Sequence, residues 1–214
     1  MMLKPTLAAL LLTCSISALA MESQVNISDI AAEGLKGWQE HDFKGKTQYR
    51  VINLNGTPMI SAHSDGTASG LYKEIRVDLQ ETPYLNWQWQ IEQPLSGLNE
   101  QSKAGDDYSA RVYVIMRSGL LPWRTRALNY VWSSGQPAGS DWPNAYTDRA
   151  RMIAVRSATD RPGRLYSERR NIQEDFQRYF DTRVRYIDVI AIMTDTDNSG
   201  RQAHAYYGDI YFSK

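Results

Sequence analysis

Short runs in which apolar and polar side chains alternate residue by residue recur along this chain from Gly37 onward, each closed by a cluster of turn formers. Successive side chains of a strand point to opposite faces, so the pattern demands a sheet protein with a greasy side and a polar side. In 84–91, Leu85, Trp87, Trp89 and Ile91 fall on one face, with Asn86, Gln88 and Gln90 on the other. In 71–79, Leu71, Ile75, Val77 and Leu79 share a side that Lys73 interrupts, while Tyr72, Glu74, Arg76 and Asp78 share the opposite one. In 111–116, Val112, Val114 and Met116 are core candidates, and Arg111 and Tyr113 point away from them. The run 186–194 is apolar on both faces, which predicts a central strand covered on both sides.

Turn chemistry supports the same reading. Asn55-Gly56 lies between two strand-like runs, and both residue types tolerate the positive φ that a two-residue hairpin needs. One helix is predicted over 172–180, where Asn171 can cap, Glu174 occupies the capping-box position, and Ile172, Phe176 and Phe180 recur at helical spacing. Many strands with little helix indicate an all-β fold, and the expectation is a jelly-roll β-sandwich, galactose-binding-like, with that one short helix. The segment 21–36 reads equally as strand, short helix or loop.

The first twenty residues read as a secretory signal peptide. Lys4 gives the basic start, Leu7–Leu12 the apolar stretch and Ala18-Leu19-Ala20 the small-residue cleavage site. The apolar run is too short for the roughly 20 residues of a spanning helix. Cys14, the single cysteine, lies inside this segment, preceded by Thr13 where a lipid-anchored cysteine wants a smaller residue. The remainder, 21–214, is expected to form one β-sandwich domain, periplasmic or secreted. Without cysteine it has no disulfides and no thiolate chemistry, so its core must hold it. Lys plus Arg and Asp plus Glu balance at 24 each, which lacks the basic excess of a nucleic-acid binder. No transmembrane segment is expected after residue 20.

Candidate ligand-binding residues are Asp106, Asp107, Arg111, Tyr113 and Asn129 as hydrogen-bonding groups, with Trp123, Trp142 and Tyr146 as loop rings. Sugar rings present apolar C–H faces that stack on aromatic rings, and nearby acids and amides take their hydroxyls. Trp87 and Trp89 read as core instead. Trp132 shares a face with Tyr130 and Leu128, and which face that is stays open. The adjacent acids 106 and 107 read either as a polar clamp or as turn acids paired with Arg111 for structural order.

Asp195-Thr-Asp-Asn-Ser-Gly200 matches the first half of a calcium loop, but position twelve is Tyr206 instead of a bidentate glutamate, which excludes an EF-hand. No cofactor is expected. Calcium held by Asp195, Asp197 and Asp209 is the one candidate, against turns closed by their own Asx side chains. His41, His63 and His204 are far apart in sequence, and no serine is singled out as a nucleophile.

Taken together, Ser69-Gly-Leu-Tyr-Lys-Glu74, Tyr84-Leu-Asn-Trp-Gln-Trp89, Lys103-Ala-Gly-Asp-Asp-Tyr-Ser-Ala-Arg-Val-Tyr113, Ala127-Leu-Asn-Tyr-Val-Trp132, Met193-Thr-Asp-Thr-Asp-Asn198 and Tyr206-Tyr-Gly-Asp-Ile210 resemble an exported bacterial family catalogued as domain of unknown function 3047. The resemblance implies a stand-alone secreted domain and brings no catalytic residue with it. A fold-level likeness to jelly-roll carbohydrate-binding modules accompanies it. The functional expectation is a non-catalytic periplasmic binding domain for a carbohydrate or cell-envelope glycan. An envelope interaction or assembly protein is one alternative. A glycan-active enzyme that pairs Glu74 or Asp209 with Asp107 is the other.

Overall fold

The computed structural model describes residues 23–117 and 124–214, so the signal-peptide expectation and Trp123 lie outside the described residues. In chain order the strands are β1 (Gln24–Asn26), β2 (Gln39–Lys44), β3 (Gln48–Leu54), β4 (Thr57–Asp65), β5 (Ala68–Asp78), β6 (Tyr84–Ile91) and β7 (Tyr108–Met116). They continue as β8 (Arg126–Trp132), β9 (Asp141–Pro143), β10 (Ala150–Arg156), β11 (Tyr166–Asn171), β12 (Tyr186–Asp195), β13 (Gln202–Tyr207) and β14 (Tyr211–Ser213). Two α-helices join them, α1 (Ile30–Glu33) and α2 (Ile172–Phe180). The early segment thus resolves into one short strand and one helical turn.

The result is a jelly-roll β-sandwich. One sheet runs β1-β14-β6-β13-β4-β3, with β11 also on β6; the second runs β2-β5-β12-β7-β8-β10-β9. Pairing is antiparallel except between β10 and β8. Strand β12 is central, held by β5 on one side and β7 on the other. That position explains its apolar character on both faces.

Alternation places the core as expected. Leu85, Trp87, Trp89 and Ile91 are fully buried and meet Val112, Val114, Ile190 and Ile192 of the facing sheet in one cluster. Trp132 joins them, its indole Nε1 donating to the Ser157 carbonyl at 3.0 Å. Lys73 breaks the greasy side of β5 because its stem packs inward while its Nζ reaches the Ile27 carbonyl at 2.8 Å. The β3–β4 hairpin turns on Asn55 (φ 52°) and Gly56 (φ 89°). Helix α2 has the predicted bounds, with Asn171 Oδ1 accepting from the Glu174 amide at 3.2 Å. Its buried Asp175 accepts from Tyr130 Oη at 2.6 Å, which pins the helix to β8. Among the described residues no helix is long and apolar enough to cross a membrane.

Candidate functional site

The outer face of the β2–β9 sheet carries the chemistry, and strand register shows how. Across neighbouring strands, Gln39, Tyr72, Ala191, Tyr113 and Asn129 form one row. His41, Gly70, Met193 and Arg111 form the next. Tyr72 and Tyr113 therefore stand two strands apart, about 10 Å at the backbone, with only the Ala191 methyl between them and Gly70 beside it. Large rings over a small-residue floor make a groove. Its volume is about 350 Å³, and Phe43, His41, Ile115 and Arg117 complete the rim. Phe43 is 66% exposed and meets His41 edge-to-face at 4.6 Å.

The polar groups of the groove are few and positioned. Tyr72 Oη donates to Gln39 Oε1 at 2.9 Å, and Tyr113 Oη lies 3.5 Å from Met193 Sδ. Burial holds the Tyr113 phenol well above its ordinary pKa, so it stays a neutral donor. Among the described residues no carboxylate lines the groove.

Arg111 follows its predicted parity, opposite Val112 and Val114, yet it does not reach solvent. It is 3% exposed. Its Nε donates to Asp195 Oδ1 at 2.7 Å and its Nη2 to Asp195 Oδ2, while Nη2 also reaches the Asp106 carbonyl at 2.6 Å. The Tyr108 ring lies under the guanidinium at 4.4 Å. Burial raises the Asp195 carboxyl to about 7 against the pull of Arg111, and burial raises Asp106 as well. The expectation of an open hydrogen-bonding cluster at 106–111 is thereby corrected. The loops 105–107 and 195–199 close over Arg111, and a desolvated guanidinium demands carboxylates where a ligand would have to enter.

The other candidates divide among three settings. Asp107 is buried and accepts from the amides of Asn198 (3.1 Å) and Ser199 (2.6 Å), so it braces that loop. Tyr146 is exposed at its rim, with Oη donating to Asn198 Oδ1 at 3.1 Å. Asn129 sits beside Tyr113 in register but is buried. Trp142 is buried too, in a second small core with Tyr108, Val131, Met152 and Ala154 that covers the outer face of β8 and β10. Of the seven proposed ligand residues that are among the described residues, Tyr113 is the one that lines the groove. His41, Phe43, Tyr72 and Met193 were missed as ligand groups. The exposed phenylalanine in a polar edge strand was the available signal.

The acids of the enzyme alternative are not paired. Glu74 binds Arg117 at 2.9 Å, Asp209 accepts from the Ile30 amide at 2.8 Å, and Asp107 is spent on its loop. The calcium expectation shifts in the same way. Asp107, Asp195 and Asp197 bring ligand oxygens within 4.8 Å of one another, whereas Asp209 lies with Ser28 and Ile30. In that cluster Arg111 already neutralises Asp195. Chelation with EDTA is therefore expected to leave the melting temperature unchanged. A rise of several degrees on adding millimolar calcium would instead put an ion among these three acids.

Several solved structures have a similar course of chain. The family 11 carbohydrate-binding module of the cellulosomal cellulase Lic26A-Cel5E of Clostridium thermocellum aligns over 90% of this chain and 95% of its own, at 7% identity and TM-score 0.49. The xyloglucanase domain of NopAA, a type three effector from Sinorhizobium fredii, covers 92% of this chain and 100% of its own, at 12% identity and TM-score 0.48. A thermostable cellulase derived from Cel12A of Rhodothermus marinus covers 88% and 100%, at 13% and 0.45. Identities and scores this low transfer neither a site nor an activity. No curated protein matches the chain at a significant level. The family described as "Protein of unknown function (DUF3047)" matches residues 36–211, and the chain belongs to that family.

Proposed function

We propose that this protein is an exported glycan-binding domain whose ligand lies in the groove between Tyr72 and Tyr113. The carrying observation is the register that sets two tyrosines either side of Ala191 and Gly70, with Phe43 beside them. A volume near 350 Å³ falls within the range of small-molecule sites. Rings that stack on C–H faces, with phenol, imidazole and guanidinium groups at the rim, suit the alternating apolar and hydroxyl character of a sugar. The absence of carboxylates among the described residues of the groove wall supports binding over glycoside cleavage there, since that cleavage needs two flanking acids. The signal-peptide pattern at 1–20 supports export to the periplasm or beyond, where envelope glycans are found.

The test is affinity electrophoresis against soluble polysaccharides, together with an array of envelope glycans. Phe43→Ala and Tyr72→Ala are each expected to weaken binding about tenfold, from about 1.4 kcal/mol of lost ring contact. Neither should change the melting temperature by more than a few degrees. Binding that persists in the double variant, or no binding by the wild type to any glycan at millimolar concentration, would refute the groove as a sugar site.

A further inference from the structure

The opposite face of the sandwich brings together three residues, one of which the sequence keeps more than a hundred positions from the other two. Strands β6, β13 and β4 are neighbours, and their outward positions align across the sheet. On β4, Ile60 and Ala62 face the core, so Ser61 and His63 face out. On β13, Ala205 and Tyr207 face the core, so His204 and Tyr206 face out. The amide of Glu92 donates to the His204 carbonyl at 3.0 Å and carries the β6–β13 register one residue beyond the strand. The acid is thus delivered beside the imidazole.

The side chains then form a continuous chain of contacts. Ser61 Oγ lies 2.7 Å from His204 Nε2, and His204 Nδ1 lies 2.9 Å from Glu92 Oε1. Tyr206 Oη donates to the same carboxylate oxygen at 2.5 Å and holds it in place. An ionised Glu92 accepts only, so it selects the tautomer with hydrogen on Nδ1 and leaves Nε2 free to accept from the serine. Burial, helped by His63 and Arg50, lowers the His204 pKa against the opposing pull of Glu92, which favours the neutral base. Arg50 is the direct cross-strand partner of Ser61 and stands on the same face. Across four strands the order is thus acid, base, nucleophile and cation, with His204 reaching Ser61 on the diagonal, since its own cross-strand partner is His63 and that of Ser61 is Tyr206.

We propose that Ser61, His204 and Glu92 form an acyl-transfer triad that hydrolyses carboxylic esters of polar alcohols. Ser61 Oγ bonds to the ester carbonyl carbon while its proton passes to His204 Nε2, and the carbonyl oxygen becomes an oxyanion beside the Arg50 guanidinium. Collapse breaks the bond to the alcohol oxygen, which takes the proton from Nε2 and leaves an acyl-serine. Water then attacks the acyl carbon by the same route, releasing the carboxylic acid and restoring Ser61. Glu92 orients the imidazole and stabilises its charged form. The polar neighbours Gln48, Arg50 and His63, on an outward strand face, suit a small acyl group on a hydroxylated carrier. This site lies on the other sheet from the groove, so either assignment can fail without the other.

The test is labelling of the folded protein with a fluorophosphonate probe, followed by intact-mass and peptide analysis, alongside hydrolysis of p-nitrophenyl acetate. The wild type is expected to take one adduct, mapped to Ser61, and Ser61→Ala to take none. His204→Gln should slow labelling and hydrolysis at least 100-fold, the size of a general-base contribution, with an unchanged circular dichroism spectrum. Glu92→Gln should reduce the rate with Ser61 still the labelled residue. A folded wild type that takes no adduct, an adduct elsewhere, or an equal rate in His204→Gln would overturn the proposal and leave a polar ladder that only braces the sheet.

Discussion

Arg111→Met is expected to destabilise the fold by about 3–5 kcal/mol, the cost of stranding a buried charge after its partner is removed. The guanidinium is the cation to which the Asp195 and Asp106 carboxylates are ion-paired, and all three side chains are nearly sealed from water. Methionine replaces the aliphatic stem without the guanidinium and leaves two acids in a dry site. For a domain of this size, 1 kcal/mol moves the melting temperature by about 2–4 °C, so a fall of at least 6 °C should appear in a thermal scan. Asp195→Leu should be comparably harmful alone. The double variant should recover part of the loss, because a buried ion pair replaced as a unit by apolar groups is often tolerated. A single Arg111→Met variant within 1 kcal/mol of wild type would show that the network contributes little.

The same residue separates an architectural arginine from a ligand-binding one. If Arg111 contacted a glycan, its removal would reduce affinity with the fold intact. Its contacts with Asp195 and Asp106 predict the reverse: less folded protein, with near-normal affinity in the fraction that folds. Urea denaturation and glycan titration on one preparation distinguish the two outcomes.

How far these conclusions were readable beforehand depends on the range of the interaction concerned. Alternation in β6, the Asn55-Gly56 turn and the Asn171 cap are local, and each has the structure its spacing predicts. Parity assigned Arg111 and Tyr113 to one face correctly. Burial did not follow from parity, because the lid on Arg111 is built from loops about 90 residues apart in sequence. The groove was hidden for a related reason. Tyr72 and Tyr113 become neighbours only through β12, whose pairing slips by one residue between Ile187 and Val189. A one-residue change in pairing reverses which side chains share a face, and no local pattern announces where such a bulge lies. Ser61, His204 and Glu92 meet by register alone. Their short-range surroundings are ordinary strand sequence.

Gly70→Leu is expected to abolish glycan binding, with a loss of at least 100-fold, or about 2.8 kcal/mol. Gly70 lies in the interior of β5, opposite Met193 on one side and His41 on the other, and it helps form the groove floor. A glycine inside a strand gives up side-chain packing and costs conformational entropy, so its presence there needs a spatial reason. A Cβ at this position would stand 3.3 Å from the Ile192 carbonyl oxygen and 3.7 Å from Met193 Cβ, a contact a slight backbone adjustment can absorb. Gly70→Ala should therefore fold normally and bind with a modest loss. The leucine side chain would extend further along the outward direction, into the space between Tyr72 and Phe43 that a sugar ring has to enter. Because the backbone needs no positive φ at residue 70, leucine's β-propensity offsets part of any strain, and stability should change by less than about 1–2 kcal/mol. Undiminished binding by a folded Gly70→Leu variant would move the sugar off this face altogether, since no ligand can stack on the tyrosines while their shared floor is filled.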